Sequence, residues 1–217
     1  MQIFLDTANI DQIKQAAKLG IISGVTTNPS LLAKETTNDY ETVTKKICAI
    51  IDGPVSVEVL SETAPEMIKE ARVKAGWHKN VNIKIPITPA GLEATSVLSK
   101  EGIPVNMTLC FSPNQALLGA MAGAAYVSIF IGRLDDAGHD GMQVVKDTMA
   151  MLTNYPDLES KVIAASIRNP MHVTYAAMAG AEVATVPYAV LMQMIQHPMT
   201  DIGIKRFLAD WKSVPKK

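Results

Sequence analysis

Val81-Asn82-Ile83-Lys84-Ile85-Pro86 reads as a short apolar β-strand with one lysine inside it. Strands of a parallel sheet are covered on both faces, so they read as nearly unbroken apolar runs. Lysine is seldom fully buried unless paired, because taking its charge out of water is expensive. Taken alone, Lys84 suits a strand edge from which its stem snorkels to water. The rest of the chain points elsewhere.

Similar runs recur along the whole sequence, at Gln2–Asp6, Gly24–Thr26, Val55–Val59, Lys161–Ala165 and Glu182–Val186, with Val81–Ile85, Val105–Leu109 and Tyr126–Ile131 between them. Amphipathic stretches separate them, near Ile10–Lys18, Tyr40–Ile51, Ala64–Ala75, Gly91–Lys100, Pro113–Ala122, Gly141–Thr153, Pro170–Ala179 and Ala189–Gln196. Regular strand–helix alternation predicts a parallel sheet, and eight such units predict a (β/α)8 TIM barrel of the α/β class. An open doubly wound sheet is the competing architecture. It normally carries a glycine-rich phosphate turn, and neither G-x-G-x-x-G after the first strand nor G-x-x-x-x-G-K-[ST] occurs. Residues 1–217 are expected to form one TIM-barrel domain. An extra C-terminal helix is expected at about 201–211, N-capped by Asp201, with a loose tail at 213–217.

Composition narrows the functional classes. The chain has 217 residues, 48% hydrophobic, enough for a sizeable core. Its net charge of -1 gives no electrostatic footprint for nucleic acid or an anionic membrane. Cys48 and Cys110 form neither a disulfide framework nor a zinc pattern, which fits a reducing compartment. The first residues lack the basic and apolar regions of a signal peptide, so a cytoplasmic location is expected. Gly102–Gly132 carries no charged residue, but Pro104, Asn106, Ser112, Pro113, Asn114 and Gln115 interrupt it. It suits a buried strand–helix–strand unit better than a membrane span.

Side chains alternate across a strand with period two. Ile3 and Leu5 then oppose Asp6; Val55, Val57 and Val59 oppose Glu58; Val81, Ile83 and Ile85 oppose Lys84. Likewise Val105, Met107 and Leu109 oppose Asn106 and Thr108, and Val127, Ile129 and Ile131 oppose Ser128 and Phe130. The apolar faces suit packing against helices. The polar set therefore converges inside the barrel near the strands' C-terminal ends, where active sites of this fold lie. A polar plug that merely fills the barrel is the alternative. Aliphatic side chains fill such space more cheaply than an amine and two carboxylates do.

These groups suit amine chemistry. An ordinary lysine titrates near about 10.4, so a nucleophilic amine must be helped into its neutral form. Desolvation favours that form, whereas ionised Glu58 and Asp6 nearby oppose it. The natural role is attack on a ketone to give a Schiff base, whose iminium draws electrons from an adjacent carbon–carbon bond. Dehydration and cleavage then need an acid and a base, which two carboxylates in unlike environments can divide. No histidine clusters here, and His139 reads as a surface or packing residue. The seventh run ends in Ala165-Ser166-Ile167-Arg168, at the usual phosphate side of this fold. Ser166 and Arg168 there, with Arg133 just past the sixth strand, suit a phosphate ester.

Leu5-Asp6-Thr7-Ala8-Asn9, Gly24-Val25-Thr26-Thr27-Asn28-Pro29-Ser30, Val57-Glu58-Val59, Ile83-Lys84-Ile85-Pro86, Asn106-Met107-Thr108, Gly132-Arg133 and Ala164-Ala165-Ser166-Ile167-Arg168 together resemble the transaldolase family, in its small-subunit branch. The resemblance spans essentially the whole chain. It implies a class I enzyme moving a dihydroxyacetone unit between sugar phosphates of the non-oxidative pentose phosphate pathway, without metal or organic cofactor. By position it implies Lys84 as the Schiff-base lysine, Glu58 as acid/base through a water shared with Thr108, and Asp6 on the hydroxyl beside the scissile bond. Thr26, Asn28, Asn106, Ser128 and Phe130 are implied to line the substrate site, with Arg133, Ser166 and Arg168 on the phosphate. Fructose-6-phosphate aldolases share this framework but resemble it with glutamine at the place of Glu58 and tyrosine at that of Phe130, so the transferase is favoured over the lyase. A sugar-phosphate binder without catalysis is the third reading, and mere binding needs no buried amine. The resemblance also implies homo-oligomeric rings, decamers among them. The apolar face of Ile204, Phe207, Leu208 and Trp211 on the last helix suits docking to a neighbour or to its own barrel.

Overall fold

The computed structural model describes residues 1–35 and 39–214. The chain alternates as expected: β1 Gln2–Asp6, α1 Ile10–Ala17, β2 Ile22–Thr26, α2 Pro29–Leu32, α3 Tyr40–Cys48, β3 Val55–Glu58, α4 Ala64–Ala75, β4 Val81–Pro86, α5 Pro89–Lys100, β5 Val105–Cys110, α6 Pro113–Met121, β6 Tyr126–Phe130, α7 Ile131–Asp136, α8 Gly141–Leu152, β7 Lys161–Ala165, α9 Pro170–Met178, β8 Val183–Val186, α10 Tyr188–Ile195 and α11 Pro198–Ser213. The eight strands pair in sequence order, and β1 pairs with β8 in parallel to close the barrel. This is the (β/α)8 barrel with an extra C-terminal helix that the alternation predicts.

The period-two reading places the core correctly. Val55, Val57, Ile83, Ile85, Val105, Met107, Val127 and Ile129 are fully buried in one cluster with residues of the surrounding helices, such as Ala71, Ala94, Leu98 and Ala116. A second, smaller cluster of Phe4, Ile163, Ala165 and Val183 fills the barrel beneath the site. The Phe4 ring takes the space a side chain at position 24 would need: a Cβ on Gly24 would stand 2.7 Å from Phe4 Cε1.

Three expectations are corrected and one short helix is added, each by local chemistry. Leu109 does not join the outward face of β5. It takes φ 59°, the register to β6 slips between Met107 and Cys110, and Cys110 becomes the buried outward residue. Ile131 is not the end of β6 but the first residue of α7, a helix that hydropathy alone hides behind an apolar strand. Asn28 and Pro29 open a short helix, α2, with Asn28 Oδ1 accepting from Leu31 N at 2.9 Å and Pro29 in the first turn. Finally, α11 starts earlier than Asp201. His197 is its N-cap, Pro198 opens it, and Asp201 sits inside the first turn; the helix runs on through Ser213. Of the expected tail, residues 215–217 lie outside the described residues.

Candidate active site

Lys84 and Glu58 are register partners on adjacent strands, β4 and β3. Lys84 is buried, and its Nζ donates to Glu58 Oε2 at 2.9 Å and to the Thr27 carbonyl at 3.3 Å. The lysine therefore points into the barrel, as strand parity predicts, and not to a wet strand edge.

Asp6 ends β1 on the same face. It accepts a hydrogen bond from Thr26 Oγ1 at 2.8 Å. Thr26 Oγ1 also bonds the hydroxyl of Thr185 on β8. A hydroxyl carries one proton, and Thr26 gives its own to Asp6, so Thr185 donates to Thr26. Burial pushes the Asp6 carboxyl above its ordinary 3.8, against the hydrogen bond from Thr26 and the nearby charges of Lys84 and Lys34, which pull it down.

On the other flank, Ser128 Oγ donates to Asn106 Oδ1 at 2.7 Å, and Asn106 Nδ2 donates to Ser56 Oγ at 3.1 Å. Asn106 is fully buried with both ends of its amide engaged, so it stands behind Ser128 and not at the cavity wall. Thr108 Oγ1 is buried without a hydrogen-bond partner among the described residues.

These groups close on a cavity of about 200 Å³, lined by Asp6, Thr26, Asn28, Lys84, Ser128, Phe130, Arg133, Ser166 and Arg168 together with Thr185 and Pro187. An adjoining opening brings in Glu58 and, because of the β5 slip, Leu109. Nine of the twelve residues singled out from sequence thus face one cavity and Glu58 the next, with Asn106 and Thr108 behind them. Sequence reasoning missed Thr185 and Pro187. Thr185 was legible, since it shares a face with Val183 in a run already read as a strand. Ser56 was legible too, since it shares the inward face of its strand with Glu58. Tyr40 and Lys74, which support the site from behind, carry no such signal.

The cavity has two chemically distinct ends. Lys84, Glu58 and Asp6 form one. At the other, Arg133 and Arg168 are exposed, with Ser166 between β7 and α9. Ser166 holds a left-handed φ of 58°, a costly backbone state for a residue with a Cβ. Gly132 is what permits it: a Cβ there would stand 2.0 Å from the Ser166 carbonyl oxygen. Arg168 Nη2 pairs with Asp136 Oδ2 at 2.7 Å, and Arg133 lies 5.0 Å over the Phe130 ring. Two guanidiniums and a hydroxyl at an open rim can take an anion, while a buried amine between two carboxylates can form and protonate a covalent adduct. Among the described residues no group of three or more His, Cys, Asp or Glu could hold a metal ion. No helix there is long and apolar enough to cross a membrane.

Comparison with known proteins shows the family. A family model described as transaldolase/fructose-6-phosphate aldolase matches residues 3–217. A probable transaldolase of Dehalococcoides mccartyi is 61% identical over 217 residues, and one of Caldicellulosiruptor saccharolyticus is 59% identical over 217 residues, each alignment covering all of both chains. Among solved structures, a thiamine phosphate pyrophosphorylase from Pyrococcus furiosus superposes with a TM-score of 0.61 over 87% of this chain and 86% of that one. At 13% identity it shares the barrel fold alone. On the family match and these relatives, the chain belongs to the transaldolase/fructose-6-phosphate aldolase family.

Proposed function

We propose that this protein is a class I transaldolase, transferring a dihydroxyacetone unit from a ketose phosphate to an aldose phosphate in the non-oxidative pentose phosphate pathway. The observation that carries the reading is the buried Lys84 amine, 2.9 Å from Glu58 and on one cavity with Asp6, Arg133, Ser166 and Arg168. The donors are fructose 6-phosphate or sedoheptulose 7-phosphate; the acceptors are erythrose 4-phosphate or glyceraldehyde 3-phosphate. The phosphate sits on Arg133, Ser166 and Arg168, which sets the ketone against Lys84.

Neutral Lys84 attacks the ketone carbon, and the carbinolamine loses water with a proton from Glu58, passed through a water that Thr108 also holds. Asp6 takes the proton from the hydroxyl beside the scissile bond. That bond breaks to release the aldehyde, and its electron pair moves into the iminium to leave an enamine on Lys84. The enamine then adds to the acceptor aldehyde, Asp6 returns the proton, and hydrolysis frees the new ketose and Lys84. Phe130, with no hydroxyl, offers no group to deliver a proton to the enamine carbon, so the three-carbon unit stays bound until an acceptor arrives.

The test is glyceraldehyde 3-phosphate release from fructose 6-phosphate with and without erythrose 4-phosphate. Release that requires the acceptor supports the transferase. Comparable release without it assigns an aldolase that frees dihydroxyacetone, and no release with any donor leaves a sugar-phosphate binder. We read the enzyme as cytoplasmic, with two buried free thiols that suit a reducing compartment. We also read it as a homo-oligomeric ring. No residue of α11 is buried by its own barrel, and Met199, Ile202, Phe207, Leu208 and Trp211 are all more than half exposed. An apolar face of that extent suits a second copy of the chain. The mass in solution, with and without residues 198–217, tests it.

A further inference from the structure

The backbone around Glu58 departs from a regular barrel, and the departure ends on two side chains outside the catalytic set. Strand β2 pairs with β3 over only Val25–Val55 and Thr26–Ser56. The ladder advances as Val25 N–H to the Pro54 carbonyl and Thr27 N–H to the Ser56 carbonyl, at 2.9 and 3.1 Å. In a parallel ladder the next rung would join Glu58 N–H to the Thr27 carbonyl, and the one after would bring the N–H of residue 29 to the Glu58 carbonyl. Residue 29 is proline and has no N–H. Both main-chain groups of Glu58 therefore face an edge that β2 does not cover.

Two side chains from the helix layer cover it. Tyr40, the first residue of α3, accepts from Glu58 N–H on its hydroxyl at 3.0 Å. Lys74, on α4, donates from Nζ to the Glu58 carbonyl at 2.7 Å. The Tyr40 hydroxyl also bonds Thr27 Oγ1 at 2.8 Å. Thr27 Oγ1 gives its own proton to the Ser56 carbonyl, so Tyr40 is the donor in that bond. The Thr27 carbonyl, released from the ladder, takes Lys84 Nζ instead.

Lys74 is an expensive strut. It is buried, 2.7 Å from Glu70, and lies 5.0 Å and 5.8 Å from the centres of the Tyr40 and Trp77 rings. Glu70 in turn accepts from Leu60 N–H, Ser61 N–H and the Ser61 hydroxyl, fastening the chain just after Glu58.

We propose that Tyr40 and Lys74 are positioning residues for the reaction: they replace the missing β2 rungs at Glu58, fix its carboxylate against Lys84, and free the Thr27 carbonyl to orient the amine. This rests on the reading of the site as a Schiff-base transferase or lyase. Misplacing a catalytic group by about 1 Å can cost on the order of 10²-fold, so loss of one strut is felt in turnover and not in phosphate binding.

The experiment is a double-mutant cycle of Tyr40→Phe with Glu58→Gln, read by aldehyde release and by borohydride trapping of the donor on Lys84. Tyr40→Phe removes one oxygen, and Lys74→Met supplies a second, independent variant. Each is expected to lower kcat about tenfold or more while changing KM for the ketose phosphate by less than about twofold. In the Glu58→Gln background the Tyr40→Phe loss is expected to shrink below about twofold, because Tyr40 acts through Glu58. An unchanged kcat in both Tyr40→Phe and Lys74→Met overturns the proposal, as does an equal loss from Tyr40→Phe in both Glu58 backgrounds. A wild-type protein that neither releases aldehyde nor traps donor sinks the reading of the site itself. An active wild type with additive losses sinks the struts alone.

Discussion

Lys84 and Glu58 occupy the same level of neighbouring strands, and the 2.9 Å contact between their charged ends is built into the β3–β4 register. Parallel pairing alone puts the two Cα atoms side by side, and both side chains point inward. The amine is thus held beside a carboxylate before any substrate arrives. That is the preorganisation that acid/base work on a covalent adduct needs.

Lys84→Met is expected to end trapping by borohydride and to lower turnover by more than about 10⁴-fold, the scale of removing a nucleophile. Glu58→Gln is expected to keep some trapping but to slow it by about 10²–10⁴-fold, the usual worth of a positioned acid or base. Mass spectrometry of the reduced adduct, followed over time in each variant, checks both. A trapped adduct in Lys84→Met would place the nucleophile elsewhere.

Asp6 carries a pH prediction. Its carboxyl titrates above the ordinary 3.8 because burial outweighs Thr26 and the nearby lysines. An acid with a raised folded value binds its proton more tightly in the folded state. Stability therefore falls as pH rises from the ordinary carboxylate value through the folded one, and stays reduced above it. Asp6→Asn should raise the melting temperature at pH 7, and the gain should vanish below the ordinary value, while kcat drops by about 10²–10⁴-fold. Thr26→Val removes a bond that lowers the Asp6 value, so the acidic limb of kcat should move to higher pH. A limb that stays in place means that Asp6 is not the group it reports.

Much of this was legible in the chain because period two and the barrel rule are strong constraints. Asp6, Glu58, Lys84 and Ser128 follow from alternation alone, since each stands among aliphatics that must face the helices. What stayed hidden depends on departures from regularity. The slip at Leu109 needs a left-handed residue that no glycine announces. The start of α7 at Ile131 is as apolar as the strand it ends. Tyr40 and Lys74 reach Glu58 from separate helices, and only the three-dimensional path of β2 gives them a purpose.

Arg168 and Asp136 form an exposed pair, and such pairs contribute little to stability, about 0–1 kcal/mol. Arg168→Ala should leave the melting temperature almost unchanged. It should also raise KM for a phosphorylated donor by about tenfold to a hundredfold, the worth of a charge-assisted hydrogen bond. A non-phosphorylated ketose should show no such penalty, because the loss lies in the phosphate contact. Steady-state kinetics with fructose 6-phosphate and free fructose separates these outcomes, and an equal effect on both removes Arg168 from the phosphate site.

Gly132 offers a steric test of the same end of the cavity. An added Cβ would stand 2.0 Å from the Ser166 carbonyl oxygen and 2.8 Å from Arg168 Cγ, so two phosphate-side residues must move together. Main-chain atoms yield poorly to such overlap, and overpacking costs about 1–3 kcal/mol. Gly132→Ala should therefore lower stability by that amount and raise KM for the donor, while borohydride trapping at saturating donor survives because Lys84 and Glu58 lie on β4 and β3, away from the clash. Ser166→Gly is the companion, since glycine adopts the left-handed φ of 58° without strain. It should keep the fold and lose only the hydroxyl's contribution to KM. If Gly132→Ala leaves KM unchanged, the Gly132–Ser166 contact does not shape the phosphate site.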